Sequence, residues 1–243
     1  MGGTLLNALT VALGSALGLL VGGRLPARIQ ESVVTGLGLV TLFVGISNAG
    51  QTGNIIIPLL SIALGAILGE LLDLDGALQR LAGWLQTRFA GGGAASSETR
   101  RRFVTGFVTA SLVFCVGPLT ILGSIQDGMG LAVGFQQLAI KSVLDGFAAL
   151  AFAASFGVGV SFSILTVLVV QGGLALAGSV LGSFMTAPMI NEMTGVGGLV
   201  LMGLALVLLD VKKPRMANFL PALLIAPLLV AGAAALGINI YPL

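Results

Sequence analysis

Hydrophobic residues along this chain gather into long blocks that short charged or glycine-rich breaks separate. A bilayer core of about 30 Å requires about 20 mostly apolar residues per helix, so blocks of this length predict transmembrane helices. We place eight spans at residues 5–23, 33–49, 55–72, 103–125, 138–158, 162–184, 194–209 and 217–236. The break between the fifth and sixth blocks carries no charge, so a seven-span arrangement in which these two blocks form one bent unit is the alternative.

Composition supports an all-α integral membrane protein with a single polytopic domain. Of the 243 residues, 56% are hydrophobic and only 8% are charged, whereas soluble domains carry about 25% charged residues. This excludes a soluble globular protein. A formal charge of +2 gives no sign of nucleic-acid binding, and the absence of histidine removes imidazole metal ligands and Ser-His dyads. We expect no cofactor, no metal and no enzymatic activity.

The distribution of basic residues favours eight spans over seven. With the first span starting outside, ten of the eleven basic residues fall in loops on one side of the membrane: Arg24, Arg28, Arg80, Arg88, Arg100, Arg101, Arg102, Lys212, Lys213 and Arg215. Basic loops are cytoplasmic by the positive-inside rule. The prediction is therefore a multi-pass protein of the inner membrane with cytoplasmic basic loops and both termini outside.

The longest predicted cytoplasmic segment, at about 74–102, contains an amphipathic helix and a linker. Leu74, Leu78, Leu81 and Leu85 recur at helical spacing with polar residues between them, which is typical of a helix lying on the membrane surface. Trp84 is expected near the headgroups. The glycine-, alanine- and serine-rich residues 91–97 follow as a flexible linker.

Three pairs of segments indicate an internal repeat. Residues 7–18 (NALTVALGSALG) match 171–182 (QGGLALAGSVLG), residues 31–38 match 192–197, and residues 54–60 match 218–223, in the same order. This defines repeat one at about 4–73, a central helix pair at about 103–160 and repeat two at about 162–238. In the eight-span topology the two three-helix repeats run in opposite senses, as in many secondary transporters that bind substrate at the repeat interface.

Ionisable residues inside predicted spans are the first candidates for a site, because such residues are rare in lipid. Lys141 and Asp145 are four residues apart in the fifth span, so they face the same side of a helix and can pair. Asp145 is the candidate proton- or cation-binding group, while Lys141 either pairs with it or extends to the membrane surface. Gln126 and Asp127 follow the fourth span and either cap helices or line the site near Asp145. Glu192 precedes the seventh span, where a carboxylate suits a helix N-terminus.

The alignment of the two repeats places four neutral amide residues in two equivalent pairs. Asn7 aligns with Gln171, and Asn54 aligns with Asn218. These amides either supply contacts to a substrate in one cavity or join helices by hydrogen bonds. Pro118 falls inside the fourth span and predicts a kink or break there, because proline removes a backbone donor and clashes with the preceding turn.

Several segments carry a resemblance to a known family. They are residues 3–8 (GTLLNA), 65–73 (GAILGELLD), 107–117 (FVTASLVFCVG), 121–128 (ILGSIQDG), 141–146 (KSVLDG) and 190–194 (INEMT). In these segments the chain resembles the YdfK/YqgA-like family, a domain of unknown function (554). The resemblance implies a bacterial or archaeal inner-membrane protein of unassigned activity, and it supplies no substrate and no catalytic residues.

The hypothesis that combines these observations is secondary transport of a small solute. Protons or cations would be coupled through Asp145 and Asp127, and the paired amides would supply neutral contacts. The expected partners are the lipid bilayer and a small solute or ion, with no nucleic acid, and a homo-oligomer is compatible with the sequence. The alternatives are a channel and a structural membrane scaffold without transport activity.

Overall fold

The computed structural model describes residues 1–22, 26–89, 97–115 and 118–241, and all regular secondary structure in these ranges is helical. The helices are α1 (Gly2–Gly22), α2 (Ala27–Ala49), α3 (Ile56–Leu71), α4 (Leu74–Phe89), α5 (Ser97–Cys115), α6 (Pro118–Gly128), α7 (Ala132–Phe156), α8 (Ser163–Leu176), α9 (Gly178–Phe184), α10 (Ala187–Leu208) and α11 (Ala222–Ala235). Arg24 and the predicted linker, apart from Ser97, lie outside the described residues.

Six of the described helices are long and apolar enough to cross a membrane, and the number rises to eight if two bent helix pairs count as one span each. The six are α1, α2, α7, α8 with its preceding 3-10 turn, α10, and α11 with its preceding 3-10 turn. The bent pairs are α3 with α4, at 53°, and α5 with α6, at 63°. The prediction of an all-α protein with multiple membrane spans is confirmed.

Two helices begin earlier than the hydrophobic pattern predicts. Helix α10 begins at Ala187 rather than 194, because Thr186 accepts a hydrogen bond from the Met189 N–H and a proline lies in the first turn. Helix α7 begins at Ala132 rather than 138. As a consequence, Lys141 lies well inside α7 rather than near its start, and Glu192 lies inside α10 rather than before it.

The helical break predicted at Pro118 coincides with a change of direction in the described chain. Helix α5 ends at Cys115 and α6 begins at Pro118, and the axes of the two helices differ by 63°. Proline suits the first position of a helix, where its missing N–H costs nothing. The fourth predicted span is thus two helices rather than one.

The helices form two compact units. The first unit contains α1, the start of α2 and most of α4. It also contains α5 to α9, except for the first residue of α6 and the last two residues of α9. The second contains the remainder of α2, together with α3, α10 and α11.

In the first unit, α1 and α7 run side by side in the same direction. Gly3 near the start of α1 faces Leu138, and Gly22 at its end faces Ala154. Parallel neighbours need an odd number of membrane crossings between them. If all six long apolar helices cross, the two bent pairs must therefore either both cross or both stay on one side.

Glycine allows the backbones of α1 and α7 to touch. A Cβ atom on Gly14 would lie 2.1 Å from the carbonyl oxygen of Gly146, and one on Gly18 would lie 2.2 Å from that of Leu150. Both distances are far below van der Waals contact, so only glycine fits. Small residues at such interfaces are typical of membrane helices, which associate through close packing.

The opposite face of α1 carries large apolar side chains. Leu5, Leu9, Leu13, Leu17 and Leu20 are each more than half exposed, while the buried face consists of glycine, alanine, valine and small polar residues. A water-soluble helix has the reverse pattern. The exposed leucines form a surface that suits lipid chains.

Blocks five and six of the sequence form two separate helices. Helix α5 runs antiparallel to α7, since Gly106 lies against Phe156 while Phe114 contacts Phe152. Helix α5 also runs parallel to α8. The Phe103 carbonyl lies against Gly159, just before α8, and farther along both helices the hydroxyl groups of Ser111 and Thr166 are hydrogen-bonded. Helices α7 and α8 are therefore antiparallel, and the single bent unit considered as the alternative is not what these residues form.

The predicted amphipathic helix corresponds to α4. Its Ala82 and Leu85 are buried against Phe103 and Phe107 of α5, so α5 covers part of its apolar face. Trp84 is more than half exposed on the same helix. A surface position for this helix stays a prediction.

The second unit consists of two helical hairpins whose turns lie at opposite ends. Helix α2 runs antiparallel to α10, because Gly38 faces Leu209 and Gly198 faces Ala49. Helix α3 runs antiparallel to α11, since Gly65 packs on Ala222 at the start of α11, whereas Gly69, later in α3, packs on Asn218, before α11 begins. The α2–α3 hairpin and the α10–α11 hairpin thus run in opposite senses.

Replacing Gly14 with alanine is expected to destabilise the protein by about 1–3 kcal/mol, because the added methyl group must push α1 away from Gly146. Gly36→Ala is the matched control, since nothing lies within 4 Å of the Cβ position there and alanine gains about 1 kcal/mol in helix propensity. Thermal unfolding in detergent, followed by circular dichroism, measures both changes. Equal stability of the two variants would contradict the close α1–α7 contact.

Candidate functional site

A buried ion pair lies between α1 and α7 in the first unit. The Lys141 ammonium group bonds to Oδ2 of Asp145 one turn along α7, and both residues are only 6% exposed. Asn7 on α1 is fully buried and donates from Nδ2 to the same carboxylate oxygen at 2.9 Å. Asp145 thus receives one charged and one neutral hydrogen bond.

The packing of α1 on α7 explains why Asn7 reaches this pair. Gly3 faces Leu138, and because the helices are parallel, the next turn of α1 lies beside the next turn of α7. That turn of α1 carries Asn7 and that of α7 carries Ser142, with Asp145 immediately after it. The glycine contacts farther along bring the two helices close enough for a direct amide–carboxylate bond.

Burial of Lys141 decides between its two predicted roles. Because α7 begins at Ala132, Lys141 lies in the third turn of the helix, and its side chain bonds to Asp145 rather than extending to the membrane surface. The two opposite charges therefore cancel inside the helix bundle. No three Cys, Asp or Glu side chains that could hold a metal ion come together among the described residues.

Several polar atoms inside the first unit have no hydrogen-bond partner among the described residues. They include Oδ1 of Asn7, both amide atoms of Gln171, Oγ1 of Thr4, Oγ of Ser124 and Oε1 of Gln126. Gln171 is fully buried on α8, which packs against α1. Buried polar groups are nearly always hydrogen-bonded, so these donors and acceptors are unusual for a protein interior.

Asp127 binds at the start of α1 rather than to the ion pair. Its Oδ2 accepts the Gly3 N–H at 3.2 Å and lies 2.9 Å from the amino group of Met1. A carboxylate at this position satisfies a free N–H of the first helical turn. No hydrogen bond joins Asp127 to Asp145 in the described part of the chain.

Glu192 binds the turn that precedes α3 in the second unit. Its Oε1 accepts the N–H groups of Gly53, at 2.9 Å, and Asn54, at 3.2 Å, and its Oε2 accepts the Thr52 hydroxyl at 2.5 Å. Because α10 begins at Ala187, Glu192 does not cap its own helix as the sequence suggested. It stabilises the turn that leads into α3, although it is fully buried.

Asn54 and Asn218 lie at opposite ends of α3 and do not converge. Asn54 precedes α3 and donates from Nδ2 to the Ile240 carbonyl at 2.5 Å. Asn218 lies against Gly69 at the far end of α3, and its Oδ1 accepts the Asp75 N–H at 2.7 Å. Each amide fixes a chain segment beyond a helix end.

Tyr241 joins Glu192 and residues 52–54 in a cluster that we call the Glu192 cluster. No sequence pattern indicated this tyrosine. A Cβ atom on Gly53 would lie 2.8 Å from the Tyr241 ring, so the ring packs directly on this glycine. Burial raises the pKa of Tyr241 to about 12, and the negative charge of Glu192 adds to the rise. The one available signal was that it is the only tyrosine in the chain.

Asp145→Asn is expected to destabilise the protein by about 3–5 kcal/mol, because it leaves the buried Lys141 ammonium group without a counter-charge. The double change Lys141→Met with Asp145→Asn should recover most of this loss. Asp210→Asn, at an exposed carboxylate, is the matched control and should cost less than about 1 kcal/mol. Thermal unfolding in detergent measures all three, and a double variant no more stable than Asp145→Asn would contradict a charge-pair role.

The single tyrosine allows a direct test of the Glu192 cluster. Phenolate absorbance at 295 nm should titrate with a midpoint near pH 12, and Glu192→Gln should lower this midpoint. Since the pKa of the folded state is raised, the contribution of Tyr241 to stability is complete below about pH 10 and is lost as the pH rises through 12. Glu98→Gln, at an exposed position, should leave the midpoint unchanged. A midpoint near 10 while the helical signal persists would contradict the burial of Tyr241.

Comparisons with known proteins agree with this membrane architecture. A family model described as "Protein of unknown function (DUF554)" matches residues 2–231. The chain is 33% identical to the uncharacterized protein YqgA of Escherichia coli (strain K12), covering 92% of this chain and 94% of that protein. It is 28% identical to the uncharacterized membrane protein YdfK of Bacillus subtilis (strain 168), covering 98% and 100%. No solved structure matches. The chain therefore belongs to the DUF554 family of membrane proteins.

Proposed function

We propose that this protein is a secondary transporter that carries a small monovalent anion together with a proton across the inner membrane. The observation that carries the proposal is the buried Lys141–Asp145 pair with Asn7 bonded to the same carboxylate. Ionisable residues within membrane helices mark ion and substrate pathways more often than packing contacts.

Charge balance at the pair leads to the proton and the anion. With Asp145 ionised, the two side chains sum to zero. A proton that neutralises Asp145 leaves the Lys141 ammonium group alone in a low-dielectric region, which is costly. An anion that binds next to Lys141 restores neutrality, so the proton and the anion favour each other's binding.

A metal cation is a poorer coupling ion than a proton at this site. The ammonium group of Lys141 already bonds to Oδ2 of Asp145. Binding sodium there would place two positive charges against one carboxylate. A proton neutralises the carboxylate without displacing Lys141.

Neutral contacts for the anion are available on the neighbouring helices. The amide of Gln171 on α8 is fully buried, and neither its polar atoms nor Oδ1 of Asn7 has a hydrogen-bond partner in the part of the chain that the structure describes. A solute carrying hydroxyl or amino groups beside its negative charge suits these amides. Asp127 already accepts a hydrogen bond at the start of α1, so we assign proton coupling to Asp145 alone.

The second unit supports the inverted repeat that many secondary transporters use for alternating access. Asn54 binds the segment after α11, and its repeat partner Asn218 binds the segment after α3. This exchange of equivalent contacts, together with the opposite senses of the two hairpins, is what a pseudo-two-fold axis in the membrane plane produces. The predicted orientation has the basic loops in the cytoplasm.

Proteoliposomes that contain the internal pH dye pyranine test the proposal. An inward gradient of gluconate, glutamate or dihydrogen phosphate should acidify the lumen at a saturable rate for at least one of these anions. Asp145→Asn mimics the protonated carboxylate, so it should retain anion exchange and lose the acidification. The apparent anion affinity of the unmodified protein should rise as the pH falls, by about 5- to 150-fold, whereas that of Asp145→Asn should not change.

Asp210→Asn is the matched control and should behave as the unmodified protein. Flux that does not saturate would indicate a channel. Absence of flux for all three anions, with protein shown to be inserted, would indicate a structural membrane scaffold. Either result would overturn proton-coupled anion transport.

A further inference from the structure

A polar cavity lies in the first unit, at the end of α1 farthest from the ion pair. Its volume is about 460 Å³, and it lies where α1 and α7 end and α5 begins. Gly22 of α1 lines it, fifteen residues after Asn7, which is about 22 Å along the helix. The cavity is therefore distinct from the Lys141–Asp145 site.

The charge of this cavity is positive. Arg102 is the one charged side chain among the described residues that line it, and none of those residues is acidic. Its guanidinium group donates one hydrogen bond to Oε1 of Gln30, at 3.3 Å, out of five N–H donors. Thr99 adds a hydroxyl group from the first turn of α5, where the helix dipole favours negative charge.

An unused acceptor lies in the same wall. Gln86 of α4 is only 4% exposed, and its Oε1 has no hydrogen-bond partner among the described residues. An arginine and an unpaired amide oxygen together fit a ligand with an anionic oxygen and a nearby O–H donor. A phosphate ester of a polyol has both groups.

Apart from Ser155, the rest of the lining is apolar. Leu19, Phe103, Phe156 and Val158 line the cavity together with alanines of α7. An inorganic or sugar phosphate makes no use of such a surface, whereas an acyl chain does. Basic pockets between membrane helices on the cytoplasmic side are typical sites for anionic lipid headgroups, and the positive-inside rule predicts that side for Arg102.

We propose that this cavity binds the phosphoglycerol headgroup of an anionic phospholipid, with the phosphate on Arg102, a glycerol hydroxyl on Gln86 and an acyl chain along Leu19 and Phe103. Nothing in this proposal depends on transport through the ion-pair site. The shared chemistry is a phosphate ester with a neighbouring hydroxyl group, and glycerol 3-phosphate is its soluble counterpart.

Native mass spectrometry of the purified protein, released from mild detergent with equimolar phosphatidylglycerol, phosphatidic acid and phosphatidylcholine, tests the site. One phosphatidylglycerol molecule should remain bound at least about tenfold more than phosphatidylcholine, since choline has no hydroxyl group for Gln86 and places a second positive charge near Arg102. Phosphatidic acid, which lacks the headgroup hydroxyls, should be retained at an intermediate level.

Arg102→Gln should reduce phosphatidylglycerol retention about tenfold, and Gln86→Leu should abolish the preference over phosphatidic acid. Arg101→Gln removes the same charge from an adjacent residue that does not line the cavity, and it should stay within about threefold of the unmodified protein. Thermal unfolding of each variant confirms that it is folded.

Competition separates the lipid from a soluble ligand. Millimolar glycerol 3-phosphate should leave the bound phosphatidylglycerol in place. Its displacement by glycerol 3-phosphate would overturn the lipid assignment in favour of a soluble phosphate ester. Equal retention of phosphatidylglycerol and phosphatidylcholine, or equal losses in Arg101→Gln and Arg102→Gln, would overturn the site itself.

Discussion

Direct contact between the backbones of α1 and α7 is the constraint on which the first unit depends. Glycines of α1 lie against carbonyl oxygens of α7, and this contact brings Asn7 to the carboxylate of Asp145. A bulkier interface would leave Asp145 with Lys141 alone. Close packing therefore determines the chemistry of the ion pair, because the length of an asparagine side chain fixes how near the helices must be.

Function and packing draw on the same small residues in this protein. Membrane helices gain little from burying leucine, since lipid is as apolar as a protein core. Glycine, serine and amide residues face the interior of α1, while leucines face outwards. An interior of this kind leaves polar atoms available, such as the amide of Gln171, which has no hydrogen-bond partner within the described ranges. A soluble protein of this size would have filled the same space with hydrocarbon.

Local spacing was enough to predict some features, and long-range contacts explain those that it missed. The blocks of apolar residues predicted a helical membrane protein, and the four-residue interval predicted the Lys141–Asp145 pair. The bond from Asn7 joins residues 138 positions apart, and no local pattern encodes it. Glu192 was placed before the seventh span, because the apolar block begins at residue 194, whereas Thr186, six residues before Glu192, caps the start of the helix. Its role at the start of α3 depends on the hairpin arrangement of the second unit.

The placement of both charges on α7 has a consequence for how the protein is made. Lys141 and Asp145 are one helical turn apart, so α7 enters the lipid with its counter-charge already in place and needs no other helix to neutralise it. Asn7 differs from this pair in the timing of synthesis, because its hydrogen-bond partner is synthesised 138 residues later. At about 5–20 residues per second, that interval lasts roughly 7–28 s. A single neutral amide can wait that long in a membrane or translocon, whereas a lone carboxylate on α1 would obstruct the insertion of the first helix.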